Sequence, residues 1–301
     1  MKKALVVGGA GFIGSHVNDA LIDEGYEVHV IDDLSGGKKE NVNEKATLHV
    51  VDMRDQAKLA PIFEGAEFVF HLAARPRVQY SIEHPDETND INVGGTVAVL
   101  KAAQEAGVKR VVYSASSSAY GDQETLPLIE TMSPDPLSPY GLQKYVGELY
   151  AKLFYDVYGL ETVSLRYFNV YGPRLDPEGQ YALVIGKFLK QRQNGQPMTI
   201  WGDGTNTRDY THVKDIVRGN MLAATSDKVG KGEVLNLGAG RQVTVKELTE
   251  MIGGDVVHEK ARKEPKHTLA DTNRAKELLG WEPSIRIEEG LQELKEEFGL
   301  V

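Results

Sequence analysis

Residues 4–7 form a short apolar run that stops at a glycine-rich turn, with Gly8, Gly11 and Gly14 three residues apart. Residues 15–24 carry Val17, Ala20 and Leu21 at helical spacing until Gly25 ends the period. Residues 27–31 read as a second strand closing on Asp32 and Asp33. The alternation continues: 47–51, 68–72, 110–113 and 163–167 read as strands, and 86–107 and 140–158 as helices. Strands alternating with helices in this order predict an α/β fold built on a doubly wound, mostly parallel sheet. From about Tyr171 the chain turns loop-rich, with Pro173, Pro177, Gly179, Gly195, Pro197, Gly202 and Gly204. The expected organisation is a sheet domain over 1–170, rejoined at about 211–237, and a smaller C-terminal substrate-binding lobe from 171–210 and 238–301. Ligands of such sheets bind beyond the C-terminal strand ends, where this chain carries Asp52, Ser114, Ser116 and Asn169.

Composition narrows the function classes. Across 301 residues, 34 Lys and Arg stand against 44 Asp and Glu, a formal charge of −10. That balance argues against a nucleic acid or an anionic membrane as partner, since both need a positive field. The absence of cysteine excludes disulfides, thiolate zinc sites and a cysteine nucleophile, and it fits a reducing compartment. The eight histidines form no i,i+3 or i,i+4 pair and no HExxH, so no metal is expected. No run of 18 or more apolar residues occurs, and Gly8 and Gly9 cut short the apolar run after Lys2 and Lys3. The chain reads as a cytoplasmic globular protein.

The candidate chemistry lies in two places. Glycines at 8, 11 and 14, after a strand and before a helix, would let backbone approach a pyrophosphate at the helix N-terminus. Asp32, eighteen residues past Gly14, ends the next strand, where a carboxylate accepts hydrogen bonds from an adenosine ribose. It would repel a 2′-phosphate, Asp33 adds to that, and no arginine lies nearby. The cofactor expected is NAD rather than NADP.

Tyr140 and Lys144 lie four apart on one face of a helix whose start is marked by Ser138 and Pro139. A second pair at this spacing, Tyr210 and Lys214, lacks that context and reads as a decoy. A tyrosine near pKa 10 is about one part in a thousand ionised at pH 7, and lowering it by three units needs roughly 4 kcal/mol. A lysine ammonium one helical turn away would favour the phenolate. The phenolate could take a proton from a sugar hydroxyl while the carbon beneath gives hydride to NAD. Ser116 would hold the same oxygen.

Together these residues resemble the extended short-chain dehydrogenase/reductases, and among them the nucleotide-sugar 4-epimerases. The likeness covers nearly the whole chain: the Gly8 to Gly14 turn, Asp32 to Leu34, Asp52 and Met53, His71 to Ala74, Asn92 to Thr96, Ser116 to Gly121, Ser138 to Tyr140, Lys144, Arg166 to Asn169, Tyr171 to Pro173, and Trp201 to Gly204. The resemblance implies a Rossmann-like domain that holds NAD through Gly8, Gly11, Phe12, Ile13, Gly14, Asp32, Asp33, Leu34, Ser35 and Gly36. Asp52 and Met53 would flank adenine, Leu72, Ala73 and Ala74 would lie near the phosphates or ribose, and Asn92, Ser114, Tyr140, Lys144 and Tyr167 would complete the cofactor site. It further implies catalysis by Ser116, Tyr140 and Lys144. Asn169, Arg208 and Arg262 would hold a diphosphate, Glu264 the nucleotide's ribose, and Leu183, Val184, Thr199, Trp201 and Thr268 would line the rest of the substrate site. Two departures bear on uracil against thymine, which stays open: Gly186 follows Val184 and Ile185 where proline is usual, and Lys263 with Glu264 replaces the usual Gly-Asp.

The same resemblance narrows the reaction. Related sugar dehydratases carry an Asp-Glu pair directly after the catalytic Ser or Thr, and decarboxylating relatives a Glu at the second position; here these are Ser117 and Ser118. Without them the oxidised sugar can only take its hydride back, inverting C4 and regenerating NAD. Thr268, at the position bordering the C2 substituent in such epimerases, is small, which implies UDP-GlcNAc and UDP-GalNAc alongside UDP-Glc and UDP-Gal. A UDP-glucuronate 4-epimerase is the nearer alternative, and a non-enzymatic sensor of NAD or a nucleotide sugar the more distant one. A homodimer through a four-helix interface is implied, with 87–106 and 140–158 as its helices.

Overall fold

The apolar run after Lys2 forms β1 (Lys3–Val7), with its last four residues buried. Alternate side chains of a strand point to opposite faces, so Ala4 and Val6 enter one core and Leu5 and Val7 another. Both faces of the sheet at β1 are therefore apolar, and β1 reads as one unbroken hydrophobic run. The computed structural model describes residues 1–177, 183–261 and 265–300.

In chain order, α1 (Phe12–Asp23), β2 (Glu27–Asp32), β3 (Thr47–Val50), α2 (Gln56–Phe63) and β4 (Ala66–His71) follow. α1 starts three residues earlier than its apolar period suggests, because Phe12, Ile13 and Gly14 already belong to its first turn. The stretch 86–107 is not one helix. After α3 (Val78–Glu83) it divides into α4 (Pro85–Asn89), a π-helical turn (Asp90–Gly94) and α5 (Gly95–Glu105). β5 (Arg110–Ser116), α6 (Pro139–Tyr158) and β6 (Glu161–Tyr167) complete the first part. Pro139 opens α6, and the Ser138 hydroxyl caps it by accepting from the Gly141 amide at 3.1 Å.

Beyond β6 lie β7 (Val170–Tyr171), α7 (Val184–Gln193), β8 (Met198–Trp201), β9 (Thr207–Asp209), β10 (Thr211–His212), α8 (Val213–Thr225), β11 (Lys231–Leu237), β12 (Gln242–Thr244), α9 (Val245–Ile252), β13 (Val256–Glu259), α10 (Asn273–Leu279) and α11 (Ile287–Glu297). The central sheet has seven strands in the order β11-β6-β5-β4-β1-β2-β3, and every pair is parallel. One core buries Val17, Leu21, Ile216 and Trp281 against the sheet, the other Leu59, Phe63, Val99 and Phe154. A third cluster, with Ile185, Phe188, Leu248 and Leu291, holds α7, α9 and α11 together. The Trp281 indole donates to the Asp215 carbonyl at 2.8 Å, tying the segment after α10 to α8 beside the main sheet. Chain order reverses between β1 and β4, and such a reversal opens a crevice at the C-terminal strand ends.

Candidate active site

The crevice holds a cavity of about 1490 Å³ that runs from Asp32 and Asp33 past the glycine turn to Tyr140 and on to Thr268. Its floor is backbone packed on backbone. Gly8 has φ +85, and a Cβ there would lie 2.5 Å from the Ala73 nitrogen; one on Gly14 would lie 2.2 Å from the Gly8 carbonyl oxygen. No side chain caps α1, and its first turn borders the cavity. Asp32 closes the other end, accepting from the Ala10 and Leu34 amides, each at 2.9 Å. Burial pushes its carboxyl pKa up, and those two amides pull against the shift. A turn that a Cβ would fill and a carboxylate at the end of β2 suit the pyrophosphate and ribose of NAD. The fold also brings a guanidinium that sequence spacing could not place: Arg75 donates to the Ser35 carbonyl at 3.3 Å, near Gly36. Asp32 and Asp33 share that wall and oppose a 2′-phosphate.

Tyr140 stands on the first turn of α6, its amide donating to the buried Ser81 hydroxyl of α3 at 3.0 Å. Burial raises its phenol to about 12; hydrogen bonding with Ser116 and the charge of Arg77 recover only part of the shift. Lys144 is 3% exposed, donates to the Ser114 carbonyl at 2.6 Å, and sits 4.9 Å above the Tyr113 ring. Burial lowers it to about 7 against the opposing charge of Glu148. The carbonyl near the end of β5 holds its ammonium, and Arg77, just ahead of α3, is a further cation whose field reaches Tyr140. Ser116 accepts from the Ser118 hydroxyl at 2.8 Å and the Ser118 amide at 3.2 Å, which leaves its own O–H to donate into the site.

The opposite wall comes from the third core's lobe. Asn169, at φ 28, donates to the Asp209 carbonyl at 3.0 Å and the Thr268 hydroxyl at 3.5 Å. The fully buried Asp209 carboxylate accepts from the amides of Ala239, Gly240 and Ala270 at 2.7, 3.0 and 2.9 Å. Burial raises it to about 6 in spite of those donors. Arg208, on the cavity wall, donates to the Thr207 and Lys266 carbonyls at 2.9 and 3.2 Å.

Of the residues singled out for the cofactor, all but Leu34 and Asn92 border the cavity. Leu34 bends at φ 60 to reach Asp32. Asn92 lies behind the wall: it accepts from the Arg75 amide at 2.7 Å and donates to Gln143 at 2.8 Å, so it braces the loop after β4. Ser116, Tyr140, Asn169, Leu183, Arg208 and Thr268 border the cavity on the substrate side. Val184, Thr199 and Trp201 do not: Thr199 exchanges hydrogen bonds with Gln191 of α7, and Lys187 lies 5.2 Å over the Trp201 ring. These side chains hold α7 to β8. Arg262 and Glu264 lie outside the described residues. Tyr210, of the decoy pair, belongs to the third core and is 4% exposed. Arg77, Ser118 and Asp209 escaped sequence reasoning; each acts through a neighbour distant in sequence or through hydroxyl geometry. Among the described residues no group of three or more His, Asp or Glu could hold a metal ion, and no helix is long and apolar enough to cross a membrane.

The model of the NAD dependent epimerase/dehydratase family matches residues 4–238. The chain is similar to the UDP-glucose 4-epimerase of Thermotoga maritima, solved with UDP-glucose, at 42% identity and a TM-score of 0.94, over 99% of this chain and 98% of that one. It is similar to the UDP-N-acetylglucosamine 4-epimerase of Methanobrevibacter ruminantium, solved with UDP-N-acetylmuramic acid, at 40% identity and a TM-score of 0.92, over 97% and 96%. It is also similar to the UDP-glucuronic acid 4-epimerase of Bacillus cereus, solved with UDP-glucuronic acid and NAD, at 31% identity and a TM-score of 0.89, over 99% and 98%.

Proposed function

The chain belongs to the NAD dependent epimerase/dehydratase family, and from that premise we propose that it inverts C4 of a UDP-hexose. The observation that carries the reading is the grouping of Ser116, Tyr140 and Lys144 on one cavity wall, with serines at 117 and 118 where elimination would need an acid and a base. Gly8, Gly11, Gly14 and Asp32 would hold NAD, which when bound would supply a hydride acceptor and donor for C4. The protein's own groups move the proton. Tyr140 takes it from the C4 hydroxyl, Ser116 donates a hydrogen bond to the same oxygen, and the charges of Lys144 and Arg77 favour the phenolate. The 4-keto sugar then turns over in the site, C4 is reduced from its other face, and Tyr140 returns the proton.

For the sugar, Thr268 supports UDP-GlcNAc and UDP-GalNAc alongside UDP-Glc and UDP-Gal. Its side chain is small, borders the cavity, and is pinned by the Asp209 amide at 3.2 Å. A second reading, a hexuronate, draws on Arg77, a guanidinium on the cavity wall near Tyr140 that could meet a carboxylate at C6. Separate incubations with UDP-GlcNAc, UDP-Glc and UDP-GlcA, followed by NMR for the C4 epimer, decide between them. Turnover of UDP-GlcA alone would reject the first reading, and no turnover of any of the three would reject both.

We propose further that two copies pair through α6. Leu142, Leu149, Leu153 and Val157 are all exposed and recur at spacings of seven, four and four, forming one apolar stripe along the helix. Sedimentation of the protein and of Leu149→Glu/Leu153→Glu tests this: the first should run as a dimer and the second as a monomer. A monomeric parent would reject the pairing.

A further inference from the structure

One helical turn beyond Lys144, on the same helix, Glu148 lies 3% exposed, and its partner Arg166 of β6 is 2% exposed. The pair is bidentate, the arginine donating at 2.8 and 2.6 Å. Arg166 lies 4.4 Å over the Tyr120 ring, and the Tyr120 hydroxyl donates to Asn236 at 2.7 Å. Placing two charges in the interior costs desolvation, and apolar residues of similar volume often serve stability as well or better. A stability role therefore gives little reason for the pair. Its place does: the carboxylate end lies next to Lys144, with the guanidinium beyond it.

The other titratable groups around Lys144 carry little charge at neutral pH. His71 of β4 is fully buried, and burial together with the Lys144 charge lowers it to about 3. Burial raises Tyr113 of β5, Tyr120 and Tyr167 well into the protonated range, and Tyr140 is the lysine's functional partner. Burial opposes ionisation of Glu148, and the hydrogen bonds and charge of Arg166 counter that penalty. Burial also works against Arg166, but Glu148 more than offsets it.

We propose that Glu148 is a positioning residue for catalysis, whose buried carboxylate, kept ionised by Arg166, holds Lys144 as an ammonium against the Ser114 carbonyl. The proposal rests on reading Tyr140 and Lys144 as the proton-transfer pair. Two ionisation states of that pair, phenolate with ammonium and phenol with amine, hold the same number of protons, and the Glu148 charge biases the pair towards the first. Removing its charge lets Lys144 deprotonate at lower pH and shifts the pair towards the inert phenol–amine form.

The test compares the protein with Glu148→Gln and with Glu148→Met/Arg166→Met, which removes both charges while filling the volume. The lysine Cε resonance of Lys144, assigned by its loss in Lys144→Met, is followed by NMR against pH. In Glu148→Gln the lysine should titrate about one pH unit or more lower, because an uncompensated guanidinium now faces it. In the double variant the shift should be smaller and of the same sign, so that variant carries the test if the first does not fold. In kinetics, kcat of Glu148→Gln should fall about tenfold with KM within about twofold, and the acid limb of its pH profile should move to lower pH. A Lys144 titration unmoved in both variants, or a loss of kcat with the acid limb in place, would overturn the proposal. The NMR titration does not depend on turnover, so failure of the epimerase reading would show separately, as absent activity with the lysine shift intact.

Discussion

Replacing Gly14 by alanine strikes the point where the cofactor turn is tightest. The new Cβ would sit 2.2 Å from the Gly8 carbonyl oxygen and 2.8 Å from the Gly9 Cα, both backbone atoms that cannot swing aside. A relaxed carbon–oxygen contact is roughly 3.3 Å or more, so the turn and the start of α1 must part by about 1 Å. Overpacking of this kind costs about 1–3 kcal/mol of stability. A displacement of about 1 Å in a group that positions a ligand can cost about a hundredfold in function. The assay is the NAD released on denaturing purified protein, together with the calorimetric Kd of NAD and the melting temperature. Gly14→Ala should purify nearly free of NAD and bind it about 10–100-fold more weakly. Gly94→Ala, away from the cavity, is the internal control: its Cβ would meet nothing nearer than the Asp90 side-chain oxygen at 3.4 Å, so it should stay close to the parent. Equal loss in both variants, or full NAD content in Gly14→Ala, would refute the steric reasoning.

Tyr140→Phe should cut kcat by about 10² or more with little change in nucleotide binding, and Tyr210→Phe should do much less to the chemical step; equal losses would mean that the base is misassigned. Thr268→Tyr should fill the space beside the sugar and lower kcat/KM on the N-acetylated substrates by roughly 10²-fold while sparing the plain hexoses; an unchanged preference would remove Thr268 from the sugar wall. His71 is buried neutral and titrates near 3 in the fold, so below about pH 6.5 the unfolded chain takes up a proton that the folded one refuses. Its contribution to stability is full above that pH and is lost at about 1.4 kcal/mol per pH unit on acidification. Urea unfolding at pH 7, 6 and 5 should show this slope in the parent and not in His71→Asn, and parallel curves would contradict the assignment.

The strands and helices that carry the site were legible because each is a local pattern: β1 as an apolar run, α1 as a period ended by Gly25, α6 as a helix opened by Ser138 and Pro139. The helix read over 86–107 hid the π-turn around Asn92, since a single wide turn is too short to be told from its α-helical flanks by apolar spacing. Ser116, Tyr140 and Lys144 could be named from spacing and context, but the fate of the lysine could not, because the Ser114 carbonyl that holds it belongs to another element. Arg77 and Arg75 were invisible for the same reason: they reach Tyr140 and Ser35 only once the loop after β4 folds over the cavity. Sequence reading assigned Thr199 and Trp201 to the smaller lobe without showing their packing partners: Thr199 bonds Gln191 of α7, and Lys187 of α7 lies over the Trp201 ring.

Inversion of C4 by removal and return of the same hydrogen is tested most directly by isotope. UDP-GlcNAc and UDP-Glc carrying deuterium at C4 should be incubated with the purified protein in ordinary water, without added NAD, and followed by NMR. The C4 epimer should appear with its deuterium retained at C4 and with no net oxidation or reduction of the sugar. Loss of the label to solvent, a dehydrated or decarboxylated product, or a requirement for stoichiometric NADPH would contradict it.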